Sequence, residues 1–403
     1  MSEPAAPAPA AAAVVGLQVA LFISLGLPDG ALGVAWPSMR GSFDRSVGDL
    51  GLVLALNTVG YLAGSTSVAG IAKRWGTPRV MSASTAVAAV AMGLWVVTGW
   101  WLVLLVAALV LGLSRGAIDA GLNAYVALHG GVRRLGVLHG AYGVGTSLGP
   151  LLVLAALATG TWRPAWIVIG ALDVVVAALT WRWRAAWPPD LVAPPPVLDE
   201  GEGGRHATWP AVAVTMLCFA ALVGAEYSTG TWSYTLLTDG RGMADTPAGL
   251  WVASYWAGLT IARFVLGAVG DRIDRVTLLH GSCLLALSGV VLLWWDPGGA
   301  GVLGLPLAGA GFASVFPTLV ALMPDRLGAH RSSAVIGWSV AAASIGGTAV
   351  AALAGALADR GGPDILAPTL VVVTAVLGAL HLLLVRLAPV SPMPDRPPVA
   401  VPG

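Results

Sequence analysis

The sequence has 403 residues, of which 57% are hydrophobic and only 10% are charged, whereas soluble domains carry about 25% charged residues. A mean hydropathy of +0.82 excludes a water-soluble globule, because so few charges could not cover its apolar surface. The formal net charge of +1 gives no basic excess, so we expect no nucleic-acid partner.

Twelve apolar segments are long enough to cross a lipid bilayer, which requires about 20 residues per helix. Polar or turn-forming residues separate each segment from the next. We therefore predict an all-α polytopic membrane protein with twelve transmembrane helices. The sixth predicted span is short, and an earlier start would lengthen it. The predicted spans cover residues 13–36, 50–72, 80–97, 102–124, 135–157, 166–180, 211–237, 248–269, 276–295, 301–322, 333–357 and 365–387.

A proline-rich, acidic segment separates the first six spans from the last six. It has three consecutive prolines at 194–196 and the acids Asp199, Glu200 and Glu202, a composition typical of a flexible linker. We predict an N-terminal six-helix bundle over 1–184, a cytoplasmic linker over 185–208, a C-terminal six-helix bundle over 209–388 and a disordered cytoplasmic tail over 389–403.

The positions of the cations predict the orientation. With the N-terminus inside, 14 of the 21 Lys and Arg residues fall in cytoplasmic loops and tails, five fall outside and two lie within spans. This is the positive-inside pattern, so we expect both termini in the cytoplasm. A single lysine against 20 arginines is typical of GC-rich bacterial genomes, and we therefore expect a multi-pass protein of a bacterial inner membrane.

A constant shift of 197 positions aligns the two groups of six spans. Each match alone is weak because glycine is abundant, but the shift holds without a gap in three pairs of spans. Two parallel repeats joined by a linker are typical of secondary transporters, whose substrate site lies near mid-membrane between the repeats. The matching residues are Asp29 with Glu226, Gly33 with Gly230, Gly70 with Gly267, Gly140 with Gly337, Ser147 with Ser344, and Gly149 with Gly346.

The loop after the eighth span reads Gly267-Ala-Val-Gly-Asp271-Arg272-Ile-Asp274-Arg275 and resembles the gating signature of the major facilitator superfamily. In that signature an acid and arginines lock neighbouring helix ends together. The matching first-half loop contains Arg74 but lacks the acid. The resemblance implies a twelve-helix major facilitator fold and assigns a gating role to Gly267, Asp271, Arg272, Arg275 and Arg74. Arg263, about one turn before Gly267, is assigned to support this gate or to pair with a nearby acid.

Within that superfamily, two segments resemble the fucose:proton symporter group, and Glu226 in the seventh span adds to the resemblance. The first segment is 26–43 around Asp29, and the second runs from span 4 into span 5 and comprises 118–126 around Asp119 and Asn123 and 133–142 up to Tyr142. The resemblance implies that Asp119 carries the proton and that Asp29 recognises substrate or binds a proton. His139 stands where the symporter group has a glutamine.

Ionisable residues inside the spans are functional candidates, because insertion of a charge at the membrane centre costs about 2.5–3.5 kcal/mol. A low-dielectric environment favours the neutral acid, which suits a proton-coupled carrier. Pro28 and Gly30 loosen the helix on either side of Asp29 and can expose its backbone to a cavity. The intramembrane ionisable residues are Asp29, Arg115, Asp119, Asp173, Glu226 and Arg263.

Four of these residues also have a structural interpretation. Asp29 lies near the middle of the first span, and the alternative to a functional role is an acid near a span end that is solvated from outside. Arg115 precedes Asp119 by four positions on one helix face, so the two could form an ion pair whose charges cancel, although Arg115 could also change partner and take part in proton coupling. Asp173 has no counterpart in the symporter group, and a hydrogen bond between helices of the N-terminal half is the favoured explanation for it.

Polar and aromatic residues within the spans complete the predicted substrate site. Aromatic rings can pack on sugar rings, and amides can hydrogen-bond hydroxyl groups. The chain has only two asparagines and one glutamine, so the substrate could be less polar than a hexose. The predicted substrate-binding residues are Asp29, Glu226, Asn123, His139, Tyr142, Asn57, Trp232, Trp256 and Trp338.

We expect a secondary transporter that works by proton-coupled symport of a small polar solute such as a sugar. The alternative is a proton-driven antiporter that exports drugs or other amphipathic compounds, because Gly145-Thr-Ser-Leu-Gly149-Pro150 resembles the helix-bending element of such antiporters. A scaffold or receptor of the same fold is disfavoured by the cost of keeping acids in the membrane. The expected partners are a small molecule, protons and the bilayer, with a functional monomer.

An enzyme or an ATP-driven pump is not expected, because the sequence has no glycine-rich phosphate loop. Cys218 and Cys283 are the two cysteines, and both lie inside apolar runs, which excludes a disulfide framework or a thiolate metal cluster. We therefore expect no metal and no cofactor.

Overall fold

A computed structural model describes residues 8–189 and 208–390 of the protein. Most of the predicted linker and nearly all of the predicted tail, at 190–207 and 391–403, lie outside the described residues. In the described ranges the chain is almost entirely helical, and twelve stretches are long and apolar enough to cross a membrane. The predicted all-α fold with twelve membrane-spanning helices is confirmed.

The helices are numbered in chain order. They are α1 (Ala8–Ser42), α2 (Leu50–Trp75), α3 (Thr77–Val97), α4 (Trp101–Leu157), α5 (Arg163–Arg182), α6 (Trp209–Thr235), α7 (Asp245–Val269), α8 (Arg275–Trp295), α9 (Gly304–Phe312), α10 (Val315–Leu327), α11 (Ala329–Gly361) and α12 (Leu366–Leu387).

Local capping chemistry explains where several helices begin. The side chain of Thr208 accepts a hydrogen bond from the backbone N–H of Ala211 at the start of α6. Asp274 accepts one from the N–H of Thr277 at the start of α8, 2.8 Å away. These side chains satisfy N–H groups that have no partner within the first helical turn. The sixth span begins at Arg163, three residues before the predicted start, with a proline in its first turn.

α4 contains two of the predicted spans, because helical backbone continues through the break expected after residue 124. The side chains of Arg115 and Tyr142 nevertheless both contact Asp29. A straight helix between those two residues would be about 40 Å long, so both could not reach one carboxylate. The chain therefore reverses direction within α4 and passes the membrane twice.

The tenth span is interrupted where one continuous helix was predicted. A 3₁₀ turn over Pro297–Leu303 leads into α9, and α9 and α10 are separated by residues 313 and 314. The Ser314 hydroxyl lies 2.5 Å from the hydroxyl of Ser282 on α8. This hydrogen bond gives the buried Ser314 side chain a partner at the interruption.

Neighbouring helices group largely by their order in the chain. α1 and α2 pack mainly on α4, and α3 packs on α5; after residue 208, α6 packs on α11 and α12, and α8 packs on α9. Contacts of α4 with α7, α2 with α11 and α1 with α6 join the two groups. The division of the chain into the four segments 1–184, 185–208, 209–388 and 389–403 stays a prediction.

Glycines let α2 and α4 approach closely. A Cβ atom at Gly112 of α4 would overlap the backbone carbonyl of Asn57, and one at Gly60 of α2 would overlap the carbonyl of Leu109. Small residues allow this close packing in a membrane, where van der Waals contact replaces hydrophobic driving force between helices. The same contact places α2 beside Arg115 and Asp119 of α4.

Substitution Gly112→Ala is expected to destabilise the protein by about 1–3 kcal/mol, because the new methyl group must displace backbone of α2. Gly93→Ala in α3 is the matched control, since a Cβ there meets nothing within 4 Å. Thermal unfolding of the two purified variants in the same detergent measures the difference. Equal melting temperatures would contradict the close packing of α2 on α4.

Candidate functional site

Asp29 and Arg115 form an ion pair between α1 and α4. The guanidinium group of Arg115 donates through Nη1 to Oδ1 of Asp29 at 2.8 Å and through Nη2 to Oδ2 at 2.5 Å. Nη2 also donates to the backbone carbonyl of Leu25 at 2.7 Å. This bidentate geometry is among the strongest that a carboxylate can form. Both side chains are only 12–15% exposed, so the pair is largely removed from water.

Tyrosines and an asparagine surround the Asp29–Arg115 pair. The hydroxyl of Tyr142, from the second pass of α4, donates to Oδ2 of Asp29 at 2.7 Å. Asn57 of α2 and Tyr227 of α6 line a small cavity together with Asp29 and Arg115. Residues of α1, α2, α4 and α6 therefore line one cavity beside this carboxylate.

Asp119 has neutral partners. The hydroxyl of Tyr61 on α2 donates to Oδ2 of Asp119, and Nδ2 of Asn123 donates to Oδ1 at 2.7 Å. None of the five ion pairs found in the described part of the chain involves Asp119. The ion pair that the spacing of Arg115 and Asp119 suggested is not formed, because Arg115 binds both oxygens of Asp29 instead.

His139 lies close to this group. Its side chain is exposed, and its ring packs edge-on against Phe22 of α1, with 5.9 Å between ring centroids. Asp119 and Arg263 are both within electrostatic range of the imidazole. His139 therefore lies near an acid of α4 and a cation of α7.

Glu226 and Arg263 form a second intramembrane ion pair. Nη2 of Arg263 on α7 lies 3.3 Å from Oε1 of Glu226 on α6, and the carboxylate is 15% exposed. The Tyr255 hydroxyl donates to the backbone carbonyl of Glu226 at 2.6 Å. Asp29 and Glu226, the acids matched by the repeat, thus each bind an arginine. Arg263 takes the second of the two roles considered for it, pairing with an acid.

The three predicted tryptophans do not gather around Asp29 or Asp119. Trp232 is completely buried, and its Nε1 donates to the carbonyl of Ala351 on α11 at 2.9 Å. Trp256 packs on Gly230 and on the ring of Tyr255, 5.0 Å away. Trp338 is 48% exposed. Trp232 and Trp256 therefore fill space between helices in this conformation.

The predicted gating loop lies at one end of the molecule. Arg275 and Asp325 are 3.8 Å apart and about half exposed, while Arg272 and Arg74 are exposed. A Cβ at Gly267 would meet open space. The backbone N–H of Thr277 donates to Asp274 and lowers the pKa of that carboxyl group. The side chain of Asp271 lies outside the described residues.

At the opposite end, contacts that the sequence did not predict join the two groups of helices. Asp359 of α11 accepts hydrogen bonds from the Ser46 hydroxyl at 2.9 Å and from the Gly48 N–H at 3.0 Å. We refer to these contacts as the Asp359 closure. Beside it, Arg40 at the end of α1 lies 2.6 Å from Asp239 after α6. These bonds tie the first helices to α6 and α11.

Tyr61 and Tyr227 were also missed. Each is a polar side chain inside an apolar span, and that signal alone could have placed them among the candidates. Asp359 carries no such signal, because an acid near a helix end looks like any solvated surface charge.

Comparison with known proteins was made for sequence and for structure. The family model described as Major Facilitator Superfamily matches residues 19–338 and 215–402. An uncharacterised major-facilitator-type transporter of Yersinia pestis is 25% identical over 317 residues, which is 76% of this chain and 78% of that protein. A protein named glucose/galactose transporter from Brucella abortus is 27% identical over 174 residues, 43% of this chain and 42% of its own.

Solved structures share the fold over nearly the whole chain. A bacterial homologue of the human lysosomal transporter Spinster, in an inward-facing and occupied conformation, superposes with a TM-score of 0.75 at 14% identity, covering 94% of this chain and 98% of that one. The transporter FucP in its outward conformation gives a TM-score of 0.60 at 17% identity, covering 92% and 98%. At these identities the likeness shows the fold alone.

Asp359→Asn is expected to loosen the Asp359 closure, because the amide accepts more weakly than the carboxylate. A loss of about 1.5 kcal/mol would raise the fraction opened at this end about tenfold. Distances between spin labels at positions 45 and 360 measure the opening, in a background where Cys218 and Cys283 are replaced by serine. Asp364→Asn, which removes another exposed acid nearby, is the control. Unchanged distances in Asp359→Asn would show that the closure does not depend on this carboxylate.

Proposed function

The chain belongs to the major facilitator superfamily, whose members are transporters and not enzymes, and we propose that this protein couples proton entry to the symport of a small polar solute such as a sugar. The solute and the proton would bind between the two groups of helices, near Asp29 and Asp119. The relative named glucose/galactose transporter supports the substrate class.

The observation that carries the proposal is the unequal pairing of Asp29, Glu226 and Asp119, while the fourth intramembrane acid, Asp173, accepts from the Ser24 hydroxyl within the first six spans. Arginines balance the charges of Asp29 and Glu226, whereas Asp119 is held by the hydroxyl of Tyr61 and the amide of Asn123. In a low-dielectric site an unpaired carboxylate is costly, and a proton is the simplest group that can neutralise it. Asp119 is therefore the proposed proton carrier, with Asp29 and Arg115 setting its electrostatic surroundings.

The charge balance of the site also supports a neutral substrate. When Asp119 is protonated and His139 is neutral, the two ion pairs cancel and the site has no net charge. A solute with hydroxyl groups could bind the carboxylates of Asp29 and Glu226 and the amide of Asn57. We assign substrate contact to these groups and to Asn123, His139, Tyr142 and Tyr227.

The conformation supports alternating access between two sides of the membrane. The Asp359 closure lies on the side that the cation count places outside, while Arg74 and Arg272 are exposed at the other end. We propose that this conformation faces inward, with both termini in the cytoplasm of a bacterial cell. Opening of the Asp359 closure and locking of the loop at 267–275 would then produce the outward-facing state. We also propose that the monomer is the functional unit.

The antiporter alternative is weakened by the packing of α4 on α1. A Cβ at Gly145 would overlap the backbone carbonyl of Ile23, and one at Gly149 would lie 2.5 Å from that of Leu27. Close packing of two helices therefore accounts for both glycines, so their spacing no longer needs a role in drug export. Symport is the function that the site supports best.

Asp119→Asn is expected to abolish proton-driven accumulation of solute in proteoliposomes while leaving counterflow exchange active, because the amide cannot carry the proton. The solute is first chosen by a thermal-shift screen of hexoses and lipophilic cations with the purified protein. Asp173→Asn is the matched comparison, since that acid is also buried but accepts from the Ser24 hydroxyl and not from Tyr61 or Asn123. Accumulation by Asp119→Asn at the wild-type level would remove Asp119 from the coupling mechanism.

Asp29→Asn is expected to weaken solute binding at least about tenfold, or about 1.4 kcal/mol, because it breaks the bidentate pair and leaves Arg115 uncompensated. The double variant Asp29→Asn with Arg115→Gln removes both charges and so separates binding from stability. A double variant that folds and melts normally but does not bind supports the assignment. Wild-type affinity in both variants, measured by isothermal titration calorimetry, contradicts it.

A further inference from the structure

A long apolar groove runs along the outer face of the molecule between α3 and α5. It has a volume of about 650 Å³ and is lined mostly by small and branched apolar side chains. The Ser82 hydroxyl donates to the Ala177 carbonyl at 2.8 Å and joins the two helices at one end. From Ser82 to Val97 the groove follows α3 for roughly 22 Å, most of the thickness of a bilayer core.

The floor of the groove is open because of its small residues. A Cβ at Gly93 would meet no protein atom within 4 Å. On its rim, Val90 is 63% exposed and Val174 is 57% exposed, so both would face lipid. The surface is thus shaped to hold an elongated apolar chain.

Arginines mark one end of this groove. Trp181 lines the groove, and the guanidinium carbon of Arg184 lies 4.5 Å from the centre of its ring. Arg184 also donates to the Trp181 carbonyl at 2.7 Å. Arg79 is exposed one turn before Ser82 on α3, and Arg182 is exposed beside Trp181. None of these three arginines joins an ion pair within the described residues.

We propose that this groove binds an anionic phospholipid, with an acyl chain along Gly93 and its phosphate between Arg79 and Arg184. Clustered arginines at the level of the headgroups attract anionic lipids, and the tryptophan ring suits the same interface. The groove supplies an apolar surface for the chain and the arginines supply the charge for the headgroup. Neither feature belongs to the proposed transport site.

The same charges argue against a second copy of the protein as the occupant. Two copies related by a twofold axis along the membrane normal would bring Arg79 and Arg184 of each copy to the same level, where like charges repel. A free phosphate would satisfy the arginines but leave the groove between α3 and α5 unfilled. A phospholipid fits both parts.

The test is native mass spectrometry of the delipidated full-length protein, titrated with dioleoylphosphatidylglycerol, dioleoylphosphatidylcholine or glycerol phosphate. We expect the anionic lipid to bind at least about fivefold more tightly than the zwitterionic one, and glycerol phosphate not to bind. Arg79→Gln and Arg184→Gln should each weaken phosphatidylglycerol about fivefold and leave phosphatidylcholine unchanged. Gly93→Leu should weaken both lipids, because it fills the groove.

Matched controls lie on α12. Arg386→Gln removes an exposed arginine near a helix end, and Gly378→Leu adds a side chain where a Cβ meets nothing within 4 Å. Neither should change lipid affinity. Equal affinity for the two lipids, binding of glycerol phosphate as tight as the lipid, or equal losses in the α12 variants would each overturn the proposal. A dimer that Gly93→Leu dissociates would assign the groove to a second copy instead.

Discussion

The bidentate pair of Asp29 with Arg115 is the interaction around which the first helices are arranged. Removing one partner of a buried ion pair costs about 3–5 kcal/mol, so each of these two side chains requires the other. The pair fixes α1 against α4, and Tyr142 adds the returning pass of α4 to the same carboxylate. The reversal within α4, the approach of α2 through its glycines and the location of Asp119 are all compatible with this one contact.

The fold could be predicted from sequence because the bilayer imposes it. Each crossing requires a long apolar helix, so the twelve spans are visible one at a time, without knowledge of their neighbours. The partners of the charged side chains could not be predicted in this way, because they depend on how the helices pack. The spacing of Arg115 and Asp119 is local information, whereas Asp29 is 86 positions away and becomes a neighbour only after α1 and α4 pack.

The direction in which a side chain points from its helix could not be predicted from the sequence either. Trp232 was expected in the substrate site, but it is buried against Ala351 because α6 turns that face toward α11. The rotations of α2 and α6 likewise direct Tyr61 and Tyr227 toward the interior, where Tyr61 contacts Asp119 and Tyr227 lines the cavity beside Asp29. A helix that is apolar on all sides has no amphipathic pattern from which its rotation could be derived. The acids were easier to identify, since a charged side chain inside a membrane span has a high insertion free energy in any orientation.

The balanced pairs have a consequence for the energy source of the proposed cycle. With both arginine pairs balanced and His139 neutral, a carrier loaded with a proton and a neutral solute crosses without moving net charge. The empty carrier returns with the unbalanced negative charge of Asp119, so membrane voltage acts on the return step. Each 100 mV then contributes about 2.3 kcal/mol per cycle, which corresponds to roughly fiftyfold solute accumulation even without a pH difference. Because the two ion pairs carry no net charge, Asp119 would be the group through which the membrane voltage drives the proposed cycle.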